Sequence, residues 1–224
     1  MLRRRIVGCG MAATNVIGEY LRARRELVQP GDVGVRDLGR RRPERTPAAI
    51  TQLIMSWPTT PAYVFGRYLD VLAANALATA LAPWFTVGEN LVKGAFLDPR
   101  RRELRPNWER SLGGTVAAPR ANVGPDLDDP RLTELVGELS LRSQEFRQLW
   151  ARHDVRPKGS GTSVMHHPQV GRIELFYTKL PIPDTDRHTL SIYHAAPGTP
   201  SERGLALLAT TTVREREPDR TLTD

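Results

Sequence analysis

Between Asp129 and His194 the spacing of apolar residues switches from a helical to a strand-like period. That switch restricts the chain to a fold combining both elements. Asp129 precedes Pro130, an N-cap acid followed by proline at the first helical position, where a missing N–H costs nothing. Leu132, Leu135, Val136 and Leu139 then recur at helical spacing. Ser143 restarts a second helix as its cap, Glu145 lies in the first turn, and Phe146, Leu149 and Trp150 form the apolar face. From Arg172 to Lys179 the pattern alternates, with Ile173, Leu175 and Tyr177 on one side. From Thr189 to Ala195 it alternates again, with Leu190 and Ile192 on one side. These are half-buried strands of an antiparallel sheet.

Upstream, Pro61 to Asn75 reads as a strand pair broken at Arg67-Tyr68, and Ala48 to Trp57 as a short helix stopped by Pro58. Ala76–Leu81 and Asn90–Phe96 are short helices. Ser111 to Pro125 carries Gly113, Gly114, Pro119, Gly124 and Pro125, which predicts a broken helix. Gly159-Ser160-Gly161 reads as a flexible turn. A last helix runs from Ser201 to about Ala209, followed by a charged, disordered tail over 210–224. Strand pair, helices, then strands is the order of an α+β fold with helices over one face of an antiparallel sheet.

Charge divides the chain in two. The 224 residues carry a net +7, and residues 1–50 hold 11 Arg against 5 acidic residues. A basic N-terminal segment, 1–50, therefore precedes a nearly neutral domain, 51–209. Asn15 to Val28 reads as a helix with Val16, Ile17, Tyr20, Leu21 and Leu27 near one face and Arg22, Arg24 and Arg25 on the other. Arg40, Arg41 and Arg42 follow in a loop. Such a stripe suits phosphate contacts on DNA, or is simply a solvated arm. With Cys9 the only cysteine, no disulfide forms within one chain, which fits a reducing, cytoplasmic setting. No apolar run reaches the roughly 18 residues of a membrane span. The apolar stretch before Cys9 is too short for a signal segment, and Met11 is an alternative start to Met1.

Candidates for chemistry are sparse. Gly8-Cys9-Gly10-Met11-Ala12-Ala13 imitates a dinucleotide-binding turn, but no later strand–helix–strand units supply a parallel sheet, so a nicotinamide-dependent enzyme is the remote alternative. His153-Asp154 lacks further ligands at metal-binding spacing, since His166 and His167 are adjacent. No serine or cysteine stands in a nucleophile setting. The expectation is a non-enzyme with no cofactor and no metal. Aromatic residues do converge, for Trp108, Phe146, Trp150, Tyr177 and Tyr193 lie on elements that face one sheet. They make either a pocket with Arg142, His153 and His167 as polar handles, or an ordinary core.

Several stretches in order resemble the ligand-binding domain of MmyB-like transcription regulators. They are Pro61-Ala62-Tyr63-Val64, Leu69 to Asn75, Phe96-Leu97-Asp98-Pro99, Trp108-Glu109, Leu135 to Ser140, Trp150 to Val155, His167 to Gly171 and Ala196-Pro197-Gly198. The resemblance implies a PAS-like domain that encloses a pocket for a fatty-acid-like ligand and is coupled to a Cro-type helix-turn-helix. It adds Tyr63 and Asn75 to the candidate ligand-binding residues. Gly18 to Arg25 resembles the first helix of that DNA-binding unit, and Gly39 to Arg42 its Arg-rich loop. The helices that would include the recognition helix have no counterpart. DNA contact is therefore expected to be limited to Arg22, Arg24, Arg25, Arg40, Arg41 and Arg42, with output through a homodimer or a heterodimer with an intact relative. A stand-alone small-molecule-binding protein with no DNA role is the alternative.

Overall fold

The domain is built on one sheet whose two faces carry different chemistry. A computed structural model describes residues 44–106, 108–123, 129–152 and 159–214. The expected N-terminal helix, the glycine-rich turn, the six arginines of the basic segment and His153 lie outside the described residues. In chain order the elements are α1 (Ala48–Met55), β1 (Ala62–Phe65), β2 (Val71–Ala74), α2 (Ala76–Leu81), a 3-10 turn (Pro83–Phe85), α3 (Leu91–Leu97) and α4 (Arg100–Leu104). Then come α5 (Glu109–Val123), α6 (Pro130–Arg142), α7 (Gln144–Ala151), β3 (Ser160–His167), β4 (Gly171–Pro181), β5 (Thr189–His194) and α8 (Pro200–Arg214). The strands pair antiparallel in the order β2-β1-β5-β4-β3. This is the expected α+β, PAS-like arrangement.

Register sorts the side chains. Tyr63 pairs with Ser191, Ser191 with Lys179, Tyr177 with Tyr193, and Gly161 with Tyr177. Paired residues share a face, so Tyr63, Phe65, Tyr177, Lys179, Ser191 and Tyr193 all point to one side. That inner side also holds Ile173, Leu175 and Met165, packed under helices through Leu77, Leu81, Leu139, Leu205 and Leu208. The outer side is covered over β1, β2 and β5 by α1, where Ile54 packs on Ala62, Val64, Ala73 and Leu190. Further along, Phe176 and Leu180 are exposed on that side.

The helical hairpin follows its caps. Asp129 accepts from the amides of Arg131 and Leu132, and Ser143 Oγ accepts from that of Phe146. Asp129 does more than cap. Its Oδ2 accepts a 2.6 Å bond from the Tyr68 hydroxyl and lies 3.8 Å from Arg67, which also pairs with Asp186 at 3.4 Å. This network ties the β1–β2 connection to the start of α6, and Arg131 reaches back to pair with Asp70.

Asn75 is a second tie. It caps α2 by accepting from Ala78 N, accepts from Ala62 N, and donates to the carbonyls of Ile54, Trp57 and Thr60. Its amide thus fixes α1, β1 and α2 together.

Three expectations are corrected, and one helix forms in a stretch to which the sequence assigns no element. The helix over 109–123 is continuous with Pro119 inside it, because burial of Leu112, Val116 and Val123 on one side offsets the lost hydrogen bond. Ser160-Gly161 is the start of β3 rather than a turn. Arg100–Leu104 is helical, with Asp98 accepting from Arg100 N ahead of it. The last helix runs on to Arg214, past the point where a disordered tail was expected, and buries Thr212.

Candidate functional site

The inner sheet face gathers tyrosines and cations against two short helical turns. Tyr63 stacks on Phe85 of the 3-10 turn with ring centroids 4.2 Å apart. Phe85 lies 5.5 Å from Tyr193, and Tyr193 6.0 Å from Tyr177, so the rings run across β1, β5 and β4. Arg105, just past α4, donates from Nη2 to the Tyr193 hydroxyl at 3.3 Å. One turn earlier, Arg101 is buried over the Trp84 ring and donates to the Leu91 carbonyl at 3.3 Å. Lys179 places its Nζ 5.9 Å from the Phe65 ring centre and 5.7 Å from that of Tyr177.

These three cations have no carboxylate within ion-pair distance among the described residues. The acid that acts on Arg101 through its field is Asp98, and Asp98 is engaged by Arg100. The Nε atoms of Arg101 and Arg105 are buried without a hydrogen-bond acceptor. The consequences appear in acidity. Burial, then the charge of Arg105, pulls the Arg101 guanidinium down to about 9. Burial likewise lowers Lys179, with Tyr193 opposing and Arg105 and Arg101 adding to the shift. Burial, then Tyr193, raises both Tyr63 and Tyr177, Tyr63 well above its usual value. A buried positive charge left without a partner is costly, and an anion relieves that cost.

The residues expected from sequence fall into separate places. Tyr63, Tyr177 and Tyr193 are together on the inner face beside the cations. Phe146 and Trp150 stack at 5.6 Å in the helical wall, where Phe96 meets Phe146 edge-on at 5.2 Å. Arg120 covers the Trp150 ring at 4.1 Å and donates to the Trp150 carbonyl. Trp108 lies under Arg102 at 4.9 Å. Asn75 is committed to backbone groups, as described above. His167, at the end of β3, donates from Nε2 to the Ala80 carbonyl at 2.9 Å and accepts from Gln169 N at Nδ1. Arg142 is exposed on α6 and paired with Glu138 one turn back. The structure thus does not bring Arg142 to the tyrosines.

An open cleft of about 290 Å³ borders His167, lined also by Ala80, Leu81, Pro83, Leu104 and Thr211. It adjoins the same short elements that carry Phe85, Arg101 and Arg105. No arginine, lysine or acid lines it, and the charge lies with the cations around Tyr193.

Sequence reasoning missed Arg101, Arg105, Lys179, Phe65 and Phe85. The available signals were the four-residue spacing of Arg101 and Arg105 and the alternation that puts Lys179 on the side of Tyr177.

Among known families, the model of the MmyB-like transcription regulator ligand binding domain matches residues 46–208, more than two thirds of the chain. No curated protein matches the chain.

Proposed function

The chain belongs to the family of the MmyB-like transcription regulator ligand binding domain, and on that premise we propose that this domain senses a fatty-acid-like amphiphile. The apolar part lies among the aromatic side chains of the inner face and its helical wall, and the acidic head lies at the cations around Tyr193. The observation that carries the reading is the group of three cations at the tyrosines with no acidic partner among the described residues. An interior without a ligand role gains nothing from such a group. The domain acts as a regulator rather than an enzyme. Ligand occupancy biases one arrangement of the dimer or of a mixed dimer over another. DNA contact is confined to the basic N-terminal segment, whose helix-turn-helix is truncated.

Native mass spectrometry before and after organic extraction tests the reading. The expected result is a co-purified mass of fatty-acid size that is lost on extraction, or that returns on adding dodecanoate. A chain that carries no such mass and takes up neither dodecanoate nor dodecyl phosphate overturns it. Salt-dependent DNA binding separates the regulator from a stand-alone ligand-binding protein, because each phosphate contact adds to the slope of affinity against salt.

A further inference from the structure

Resting on that reading, we infer that Arg101, Arg105 and Lys179 form the head-group subsite and select a doubly charged head, a phosphate monoester on an apolar chain, over a single carboxylate. Three features argue for one shared subsite. Arg105 donates to the Tyr193 hydroxyl at 3.3 Å, and Lys179 faces, at 5.7 Å, the Tyr177 ring that lies 6.0 Å from Tyr193. The two arginines are one helical turn apart and so project from one side of the α4 region. Lys179 approaches from the opposite wall, on β4, in register with Ser191 beside Tyr63.

The subsite is graded in depth. Arg101 is 5% exposed, whereas Arg105, Lys179 and Tyr177 are half-buried and reach the margin. An anion entering at the margin meets two flexible cations first and the fixed guanidinium last. Unsatisfied donors are already present there, since Nε of both arginines is buried without an acceptor. The Tyr193 and Tyr177 hydroxyls add further donors on the sheet side.

Charge count sets the class of head. A carboxylate supplies one negative charge and two acceptor oxygens, and would leave two of the three cations uncompensated. A phosphate monoester supplies three acceptor oxygens and, above its second ionisation near about 6, almost two charges. Arginine pairs with either, but the second charge acts in a partly desolvated site where each ion pair counts for more than in water. The four aromatic rings of Phe65, Phe85, Tyr177 and Tyr193 supply an apolar surround for the chain attached to the head.

Isothermal titration of the full chain with dodecyl phosphate, dodecanoate and inorganic phosphate at pH 7.5 tests the assignment. The expected result is at least about tenfold tighter binding of dodecyl phosphate than of dodecanoate, with inorganic phosphate far weaker than both. The preference tightens from pH 5.5 to 7.5 as the phosphate takes its second charge. It falls to about twofold or less in Lys179→Met and in Arg105→Leu. The Lys179→Met variant removes a cation without a hydrogen bond, so its fold is retained and checked by circular dichroism. Dodecanoate binding as tightly as dodecyl phosphate overturns the head-group assignment and leaves the sensor reading intact. A phosphate preference unchanged in both variants also overturns it, because the head then sits elsewhere. Binding of neither amphiphile overturns the assignment and the sensor reading together.

Discussion

Arg67 and Arg101 are both buried arginines near a tyrosine, yet their surroundings differ in kind. Around Arg67 stand Asp129, Asp186 and the Tyr68 hydroxyl, and the acid is in turn held by two backbone amides. Around Arg101 stand Arg105, Lys179 and the tyrosines of the sheet, and its carboxylate neighbour is turned to Arg100. The first group is a closed ion network that joins the β1–β2 connection to α6. The second is open, with positive charge in excess; an Nε without an acceptor occurs in both groups, on Arg67 as on Arg101 and Arg105, so the carboxylates make the difference. A closed network holds structure together, whereas an open one raises the free energy of the empty protein and lowers that of the occupied one. Substitutions in the two groups are therefore expected to have opposite signs.

The largest effect is expected from Asp129→Ala. It removes the α6 cap, takes the Asp129 acceptor from the Tyr68 hydroxyl and leaves the buried Arg67 with the more exposed Asp186 as its carboxylate partner. Breaking a buried, hydrogen-bonded pair on one side costs about 3–5 kcal/mol. A urea midpoint lowered correspondingly supports the closed network. A loss below about 1 kcal/mol, the value of a cap alone, contradicts it.

Acid and alkali are expected to separate the two groups without mutation. For Asp129, burial pushes the carboxyl up, but the Tyr68 hydroxyl, the Leu132 and Arg131 amides and Arg67 more than offset it, so its acidity is strengthened on folding. Its contribution is present above the ordinary carboxylate range and is lost as pH falls through its folded value. Lys179 and Arg101 are less basic folded than unfolded. Their charge is a cost to the folded state at neutral pH, relieved as pH rises through their folded values, which for Arg101 is about 9. Urea midpoints should therefore fall toward acid in wild type and be flatter there in Asp129→Ala. Toward alkali, the gain should be smaller in Lys179→Met than in wild type. Identical alkaline slopes in wild type and Lys179→Met would remove the open group from the account.

At neutral pH Lys179→Met itself is expected to stabilise the ligand-free protein by about 1 kcal/mol, because a buried charge is replaced by an apolar chain of similar length beside Phe65 and Tyr177. A lower melting temperature for the extracted variant than for extracted wild type would reverse that sign and show that the cation is held in place by the fold.

The closed group was half legible in the sequence and the open group was not. Asp129 announces itself by standing before Pro130 and a helical apolar run, and Ser143 by standing before Phe146. Capping is local chemistry and is read locally. The alternation over 172–179 likewise gives the face of Ile173, Leu175 and Tyr177. What a cap touches beyond its own helix is not local, so the bonds from Asp129 to Tyr68 and Arg67 could not be read. The cations of the open group are three among 32 Lys and Arg residues, and what distinguishes them is burial without an ion-pair partner among the described residues, which only the fold reveals. Arg142, one of three polar handles expected from the sequence, is exposed at the end of α6, where Glu138 lies one turn back and pairs with it. Strand β3 was concealed for a related reason, since Gly159-Ser160-Gly161 has turn composition, while the Tyr177 ring of the neighbouring strand lies over the Gly161 backbone.

Gly161→Ala tests that last point and is expected to give the smallest change in stability. Gly161 pairs with Tyr177, and a Cβ at Gly161 would lie 2.9 Å from the Tyr177 hydroxyl oxygen and 3.1 Å from two ring carbons. The ring therefore lies across the β3 backbone, a close approach that a Cβ would disturb by pushing the ring aside. Alanine is the better strand residue, which offsets part of the cost of moving the ring, so the net loss should be under about 1 kcal/mol. The displaced ring is one of the two that Lys179 faces, and it adjoins Tyr193. The variant should consequently lose amphiphile affinity by a larger factor than its stability change accounts for, and its near-ultraviolet circular dichroism should change in the tyrosine region. Affinity that falls only in step with stability would mean that Tyr177 packs the sheet without contributing to the open group, and would narrow that group to Tyr193 and the three cations.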